Sequence, residues 1–274
     1  MRNRLFFISA AALLMMSSCS DYLQIADDAS IATATVINWQ DSIAYYREKA
    51  REGDGNAYLQ LASCYHEGHG APRDFMMTYA MAKMAEQYGG LAKWEEFFLS
   101  MPADDSDRLT MEAMDAIGYL RRDEALRKAE LLAAQDRPEA DLIRGAISFE
   151  EGRKDEALRL FTLAAENGCP LAQMAISLTE DAQKAKRDFA ARLPLIYCHL
   201  AQECFETDND PVEDERAASY YRMADEHLCL DQYGVRWLLN YYEHWAKQGR
   251  PVADSLEIVR LRSLITKMPP RHRK

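Results

Sequence analysis

The chain has 274 residues, with 33 basic and 44 acidic side chains and a net charge of −11. Such an acidic chain repels nucleic acid phosphates, and it has no basic stripe interleaved with aromatic residues, which argues against nucleic-acid binding. The length suffices to bury a substantial core, either as one domain or as one continuous repeat array.

The first 19 residues have the layout of a secretory signal. Arg2 and Arg4 precede an apolar run from Leu5 to Met16, and Ser17-Ser18-Cys19 follows. This order of charge, apolar segment and small-residue cleavage site predicts export. The apolar run is about half the ~20 residues that a spanning helix needs, so a single membrane span is disfavoured. An ordinary signal peptide with a chance cysteine remains the alternative.

The cysteine directly after the small residues resembles the lipobox of bacterial lipoproteins, with Met16 where leucine is commonest. The resemblance implies that Cys19 is acylated, that residues 1–18 are a signal peptide and that residues 19–37 are a lipid-anchored tether. The mature chain would carry 31 basic and 44 acidic residues, a net charge of −13. We expect an envelope protein on the periplasmic or surface-exposed face of the outer membrane, although Asp21, just after the cysteine, leaves the choice of membrane open.

From Trp39 onward the sequence predicts helices. Alanine, leucine, methionine, glutamate and arginine dominate, apolar residues recur at spacings of three and four, and no alternating β-branched strand occurs. Glycines and prolines separate segments of about 12 to 18 residues. The pattern predicts an all-α fold of antiparallel helix pairs over residues 38–268.

The clearest unit covers residues 55–90. Its spaced positions are Ala57, Leu61, Ala62, Tyr65, Gly68, Gly70, Asp74, Ala85 and Gly89. The first four form the inner face of one helix. We expect Gly68 to end that helix, Gly70 to take a positive φ and Asp74 to cap the next helix. Ala85 is the close-packing residue of the second helix, and Gly89 closes the unit.

This spacing resembles the Sel-1-like repeat, a longer-loop relative of the tetratricopeptide repeat. Ala71, Thr78 and the pair Met81-Ala82 depart from the usual residues of that repeat. The resemblance implies an α-solenoid wound as a right-handed superhelix.

A second periodicity covers residues 110–175. Asp123-Glu124-Ala125-Leu126-Arg127 recurs unchanged at 155–159, and Pro138 and Pro170 share this 32-residue offset. In the second copy Ala157, Phe161 and Ala164 lie at i, i+4 and i+7, and Gly145 is the expected small contact on the partner helix. These positions resemble the small-aromatic-small signature of tetratricopeptide repeats.

The remainder, residues 176–268, is predicted as degenerate helical pairs, followed by a solvated basic tail at 269–274. We expect helices over 171–190, 192–206, 213–227, 233–248 and 252–268, with a polar loop at 207–211. This amounts to about six helical pairs in the whole chain.

Five cysteines remain if Cys19 is lipidated: Cys64, Cys169, Cys198, Cys204 and Cys229. An odd number outside the cytoplasm leaves at least one free thiol or an intermolecular bond. Cys198 could pair with Cys204 or with Cys229. Buried free thiols that act as small hydrophobic residues are the favoured state for most of them.

No motif predicts catalysis, a metal or a cofactor. His66-Glu67-Gly68-His69 places its histidines at i and i+3, whereas a helical zinc site needs i and i+4. The acids from Asp208 to Glu215 lack the glycine and glutamate of a calcium loop, and helix capping explains them. No phosphate-binding loop or GxSxG nucleophile turn occurs. We therefore expect a protein that is not an enzyme.

The tyrosines and tryptophans have two interpretations. Trp237, Tyr241 and Trp245 share one helix face, which is typical of core. The candidate binding groove consists of Tyr45, Tyr46, Tyr233 and Tyr242, because tyrosine is a favoured contact residue.

The leading hypothesis is a lipid-anchored scaffold or adaptor that binds an unidentified protein or peptide through a concave helical surface. The alternative is an immunity-type lipoprotein that neutralises a secreted toxin, since the acidity would suit a basic partner. An envelope hydrolase with an unrecognised site is a third, less favoured hypothesis.

The lipoprotein hypothesis predicts that Cys19→Ser abolishes the incorporation of radiolabelled palmitate, because the substitution removes the acyl acceptor. Labelling of the immunoprecipitated protein measures this. Unchanged labelling would contradict the lipid anchor.

Overall fold

The structure, a computed structural model, describes residues 39–204, 211–249, 253 and 255–268. Cys19, the signal peptide, the tether, residues 207–210 and the basic tail lie outside these ranges, so their predictions stay predictions. Fourteen helices fill the described ranges: α1 (Trp39–Arg51), α2 (Gly55–Glu67), α3 (Phe75–Gly89), α4 (Leu91–Ser100), α5 (Ser106–Gly118), α6 (Arg122–Ala133), α7 (Glu139–Glu150), α8 (Lys154–Glu166), α9 (Pro170–Glu180), α10 (Ala182–Phe189), α11 (Leu195–Glu203), α12 (Pro211–Glu226), α13 (Gln232–Lys247) and α14 (Ser255–Lys267).

Helices that are neighbours in sequence pack against one another, most extensively α2 with α3, α5 with α6 and α7 with α8. The part of the chain that is described contains no strand, and its buried apolar residues form one continuous core. The predicted all-α array of helix pairs is therefore confirmed. None of the fourteen helices is both long enough and apolar enough to cross a bilayer.

Local chemistry sets the boundaries of the α2–α3 unit. Gly68 ends α2 with a left-handed φ of 77°, and Gly70 follows with a φ of 74°. The carboxylate of Asp74 accepts a hydrogen bond from the amide of Met77 and so caps α3. At the far end of the unit, a Cβ on Gly55 would lie 2.7 Å from the Cα of Gly89, so the start of α2 and the end of α3 meet backbone to backbone.

The 32-residue periodicity is also present in the backbone. Leu120 and Gly152, which are 32 residues apart, both take a positive φ, of 60° and 80°. Asp136 and Gly168 repeat this relation with φ values of 54° and 90°. Each pair ends equivalent helices of successive units, so the α5–α6 and α7–α8 pairs are copies of one structural unit.

Small residues oppose aromatic rings where helices approach closely. A Cβ on Gly145 would lie 2.6 Å from the ring of Phe161, which is fully buried between Ala157 and Ala164. Gly234 has the same relation to Tyr221, because a Cβ there would lie 2.7 Å from the tyrosine ring. The ring therefore occupies the space that a side chain at the glycine would need.

The two ends of the array contact each other. The Tyr88 hydroxyl donates to the carbonyl of Leu230 at 3.0 Å, and the Gln232 side chain donates to the carbonyl of Gln87 at 3.0 Å. Lys267 donates to the carbonyl of Glu52 at 2.8 Å. Helices α1–α3 thus pack beside α12–α14, which closes the array and covers apolar surface that the ends of an open solenoid expose.

Two predicted boundaries in the last third were wrong. Residues 171–190 do not form one helix: Asp181, in an extended conformation, accepts a hydrogen bond from the amide of Lys184 and starts α10 as an N-cap. Its short acidic side chain competes for backbone donors and so favours a cap over a helix interior. Pro211, predicted to end a loop, is the first residue of α12, a position where the missing N–H of proline does no harm.

All five cysteines of the described ranges are buried and free. Cys198 and Cys229 are neighbours, since the Cys198 thiol donates to the carbonyl of Cys229 at 3.2 Å. Burial raises the pKa of Cys169 to about 12 and that of Cys204 to about 11. These thiols stay protonated at neutral pH and contribute as small apolar side chains.

The contact between Gly145 and Phe161 can be tested by a double-mutant cycle. We expect Gly145→Ala to lower the free energy of unfolding by ~1–3 kcal/mol, because the added methyl overpacks the ring. In a Phe161→Ala background the same glycine substitution should instead stabilise by ~0.5–1 kcal/mol, the ordinary helix preference for alanine. Urea denaturation measures both, and equal effects in the two backgrounds would contradict this packing.

Candidate functional site

An open groove of about 570 Å³ lies where the ends of α5 and α7 meet the start of α6. We call it the α5–α7 groove. Apolar and charged side chains line it: Ile117, Leu120, Arg121, Arg122, Asp123, Glu124, Arg127, Ile147 and Glu150. The turn between α5 and α6 holds the groove in place through hydrogen bonds from the amides of Leu120 and Arg121 to the carbonyls of Ile117 and Ala116.

Leu120 is an exposed residue in a strained conformation. Three non-glycine residues of the described ranges take a positive φ: Leu120, Asp136 and Leu228. Aspartate tolerates this region, whereas for leucine it costs ~1–2 kcal/mol. Burial offsets the strain at Leu228, which is 3% exposed, but Leu120 is 65% exposed. The left-handed conformation itself ends α5, through the hydrogen bonds from the amides of Leu120 and Arg121. Glycine, which the equivalent unit has at position 152, takes this conformation without strain, so the helix end does not require a leucine.

Most arginines of the groove are paired. Arg121 lies 3.1 Å from Asp115 and 2.8 Å from Glu124, and Arg122 lies 2.5 Å from Glu151. Arg127 is exposed and forms no ion pair with any residue that the structure describes. Its guanidinium is available to an incoming group.

Glu150 is the unusual acid of the groove. It is half-buried at the end of α7, and its Oε1 has no surface in contact with solvent and no hydrogen-bond partner in the described part of the chain. Burial raises the pKa of this carboxyl to about 7, against the opposing effect of the Arg122 charge. An unsatisfied, half-buried carboxyl costs stability in the free protein.

A second polar cluster joins α2 to α5. Nδ1 of His66 lies 3.3 Å from Oδ2 of Asp107, and Nε2 lies 3.9 Å from Oδ2 of Asp105. These three ligand atoms are close enough to bind one cation. However, the Arg73 guanidinium already donates to the same Oδ2 of Asp107, and its charge opposes a metal ion there. The ring of His69, the other histidine of the sequence motif, stacks on a tryptophan instead.

Asp107 is the centre of this cluster and is 3% exposed. Burial raises its pKa, but the nearby His66 ring and the Arg73 guanidinium outweigh burial and hold the pKa below its usual range. We interpret the cluster as an ion-pair network that fixes the α2–α3 unit against α5.

The candidate tyrosine groove needs a correction. Tyr242 is 3% exposed and belongs to the core, because it lies on the buried side of α13. Tyr46 is half-buried and packs against the core, while Tyr45 and Tyr233 are 55% and 40% exposed. The four tyrosines therefore do not all line one groove.

The other residues singled out in the sequence lie inside the repeat units. Those that are fully or almost fully buried are Ala57, Leu61, Ala85, Ala157, Phe161 and Ala164. Tyr65 is half-buried against the core. These positions support packing, and none of them lines the α5–α7 groove.

Sequence reasoning missed the groove residues Leu120, Arg127 and Glu150. The repeat offset contained a signal for Leu120, because it stands 32 positions before Gly152, a residue with left-handed freedom. No sequence pattern indicates that Glu150 is half-buried without a hydrogen-bond partner, because both properties depend on how α5, α6 and α7 pack.

The fold and groove define an all-α protein built from successive helix pairs. No protein family profile matches the chain, and no curated protein matches its sequence. A similar solved structure is that of a protective antigen present in uropathogenic Escherichia coli strains, which displays an SLR (Sel1-like repeat) fold. The two chains are 18% identical, the match covers 84% of this chain and 56% of that one, and the TM-score is 0.29.

The chain thus spans little more than half the length of that antigen. A TM-score this low does not establish a common fold. The architecture described above therefore rests on the helices and contacts of this chain alone.

The ion-pair network predicts a pH-dependent loss of stability. Asp107→Asn should lower the free energy of unfolding at pH 7 by ~1–3 kcal/mol, because it removes the charged acceptor of the Arg73 guanidinium and the carboxylate that lies beside the His66 ring. The depressed pKa of Asp107 means that its contribution is present above pH ~4 and is lost as pH falls further. The difference between variant and wild type should therefore shrink below pH ~4 in denaturant titrations.

Asp104→Asn is the matched control, because Asp104 is an exposed neighbour. It should change the free energy by less than ~0.5 kcal/mol. An equal loss for Asp107→Asn at pH 3 and pH 7 would contradict the network.

Proposed function

We propose that this protein is a non-enzymatic scaffold that binds a segment of another protein in the α5–α7 groove. The observation that carries the proposal is Leu120, an exposed leucine held in a left-handed conformation. The end of α5 requires the left-handed conformation but not a leucine in it, and strain of this kind is typical of functional sites. A partner that covers Leu120 would bury its apolar surface and offset that strain.

The composition of the groove supports recognition of a protein segment. Its volume of about 570 Å³ is in the range of binding clefts. Arg127 lines the groove together with Leu120, and Tyr119, which is 49% exposed, directly precedes Leu120 in the chain. Tyrosine and arginine are enriched among the residues that dominate binding energy. The lining side chains are apolar and charged, so they provide contacts and ion pairs.

The proposal includes a lipid anchor at Cys19, which would hold the array at a membrane face of the cell envelope. Its support is the sequence alone: the charged, apolar and small-residue order before the cysteine. A scaffold held near a membrane gains effective concentration toward partners on that surface.

Leu120→Gly separates the contribution of this residue to stability from its contribution to binding. The variant should fold with unchanged or slightly higher stability, by up to ~1 kcal/mol, because glycine removes the left-handed strain. Recovery of the partner should fall at least about fivefold, since the loss of an apolar contact costs ~1 kcal/mol or more. Thermal melting and quantitative affinity purification of the tagged full chain from detergent-solubilised membranes measure the two effects.

Leu99→Ser is the control, because Leu99 is 78% exposed and is not among the residues that line the groove. It should leave recovery unchanged. If Leu120→Gly recovers the same proteins in the same amounts as wild type, the groove is not the binding surface.

A further inference from the structure

We propose that the α5–α7 groove binds a cationic side chain of the partner segment, lysine or arginine, with Glu150 as its counter-ion. This inference rests on the proposed function and specifies the chemistry of its partner. It starts from Glu150, which lines a groove that solvent can enter and whose buried Oε1 has no hydrogen-bond partner among the described residues.

The position of Glu150 favours a positive charge. It is the last residue of α7, where the helix dipole carries partial negative charge. The neighbouring end of α5, at Gly118, adds a second helix C-terminus to the same side of the groove. A cation there interacts with the carboxylate and with both helix ends.

The cations already present do not satisfy Glu150. The guanidinium of Arg121 is held by Asp115 and Glu124, and that of Arg122 is held by Glu151. Arg122 lowers the pKa of Glu150 only in part, because the carboxyl still titrates near pH 7. The carboxylate therefore keeps a capacity for one further donor.

The unpartnered carboxylate, and not a net charge of the groove, favours a cationic occupant. Three arginines and three acids line the groove. Asp115 and Glu151, which hold Arg121 and Arg122 from outside, are also paired with Lys83 and Arg153. Among the described residues that line the groove, Arg127 is the one cation without an ion pair, so an acidic segment could pair with that residue alone. Ionised Glu150 would repel such a segment.

Binding should depend on pH. A bound cation requires ionised Glu150, and the pKa of the free carboxyl is about 7. Below this value, binding releases a proton, so affinity should fall as pH falls. The other charged groups that face Glu150 are Arg121, Arg122, Asp123, Glu124 and Arg127, and none of these has an ordinary pKa near 7.

The test uses random peptides displayed on phage and selected at pH 8 against the full-length protein in detergent. Selected peptides are synthesised with each lysine or arginine kept or replaced by norleucine or citrulline, which removes the charge at similar size. At one basic position, this replacement should weaken the affinity of the peptide by roughly tenfold to a hundredfold, the range of a charge-assisted hydrogen bond. Calorimetry with the unsubstituted peptide should give about tenfold weaker binding at pH 6 than at pH 8.

Glu150→Gln should abolish both the discrimination between charged and uncharged peptides and the pH dependence. It should also raise the melting temperature at pH 8, because it removes an unpaired, half-buried charge, so weaker binding cannot reflect unfolding. Glu130→Gln is the matched control on the exposed face of α6 and should change neither property.

The outcomes separate the two proposals. If no peptide is selected by the wild-type protein, the groove is not a peptide-binding site, and both proposals fail. If peptides are selected but Glu150→Gln binds them equally, or if the selected peptides are acidic, only the cationic partner is overturned.

Discussion

The spacing of two helix pairs, α7–α8 and α12–α13, depends on one packing constraint: the helices approach so closely that a small residue on one must face an aromatic ring on the other. Phe161 fills the space over Gly145, and Tyr221 does the same over Gly234. Because each ring is fully buried, neither partner can change size alone. Both contacts belong to the one continuous core that runs through the described helices.

Stacking alone leaves apolar surface at both ends, and the contacts between α1–α3 and α12–α14 resolve this. Side chains donate hydrogen bonds to backbone carbonyls at this contact, as Tyr88 does to Leu230. Such bonds do not require a repeated sequence pattern. The α5–α7 groove, at the turns between helices, combines an exposed residue in a strained conformation with a carboxyl that lacks a hydrogen-bond partner among the described residues. Leu120 and Glu150 both cost stability in the free protein, and one cationic, partly apolar segment would compensate both.

The sequence predicts what local chemistry and periodicity determine. Gly68 and Asp74 end and start helices through their own backbone and side-chain bonds, and the Gly145–Phe161 contact follows from the helix spacing. Contacts between residues more than a hundred positions apart, as between the two ends, leave no such pattern. The missing partner of Glu150 is also a tertiary property. Asp181 was missed because a single capping residue looks like any polar residue within a long helical pattern.

The most direct test of the central claim, that the α5–α7 groove binds a protein segment, is photo-crosslinking in living cells. A photoreactive amino acid replaces Asp123, which lines the groove and is exposed, with position 99 as the exposed control. We expect a discrete crosslinked partner from position 123, lost on Glu150→Gln and absent from position 99. The same products from both positions, or none from position 123, would contradict the claim.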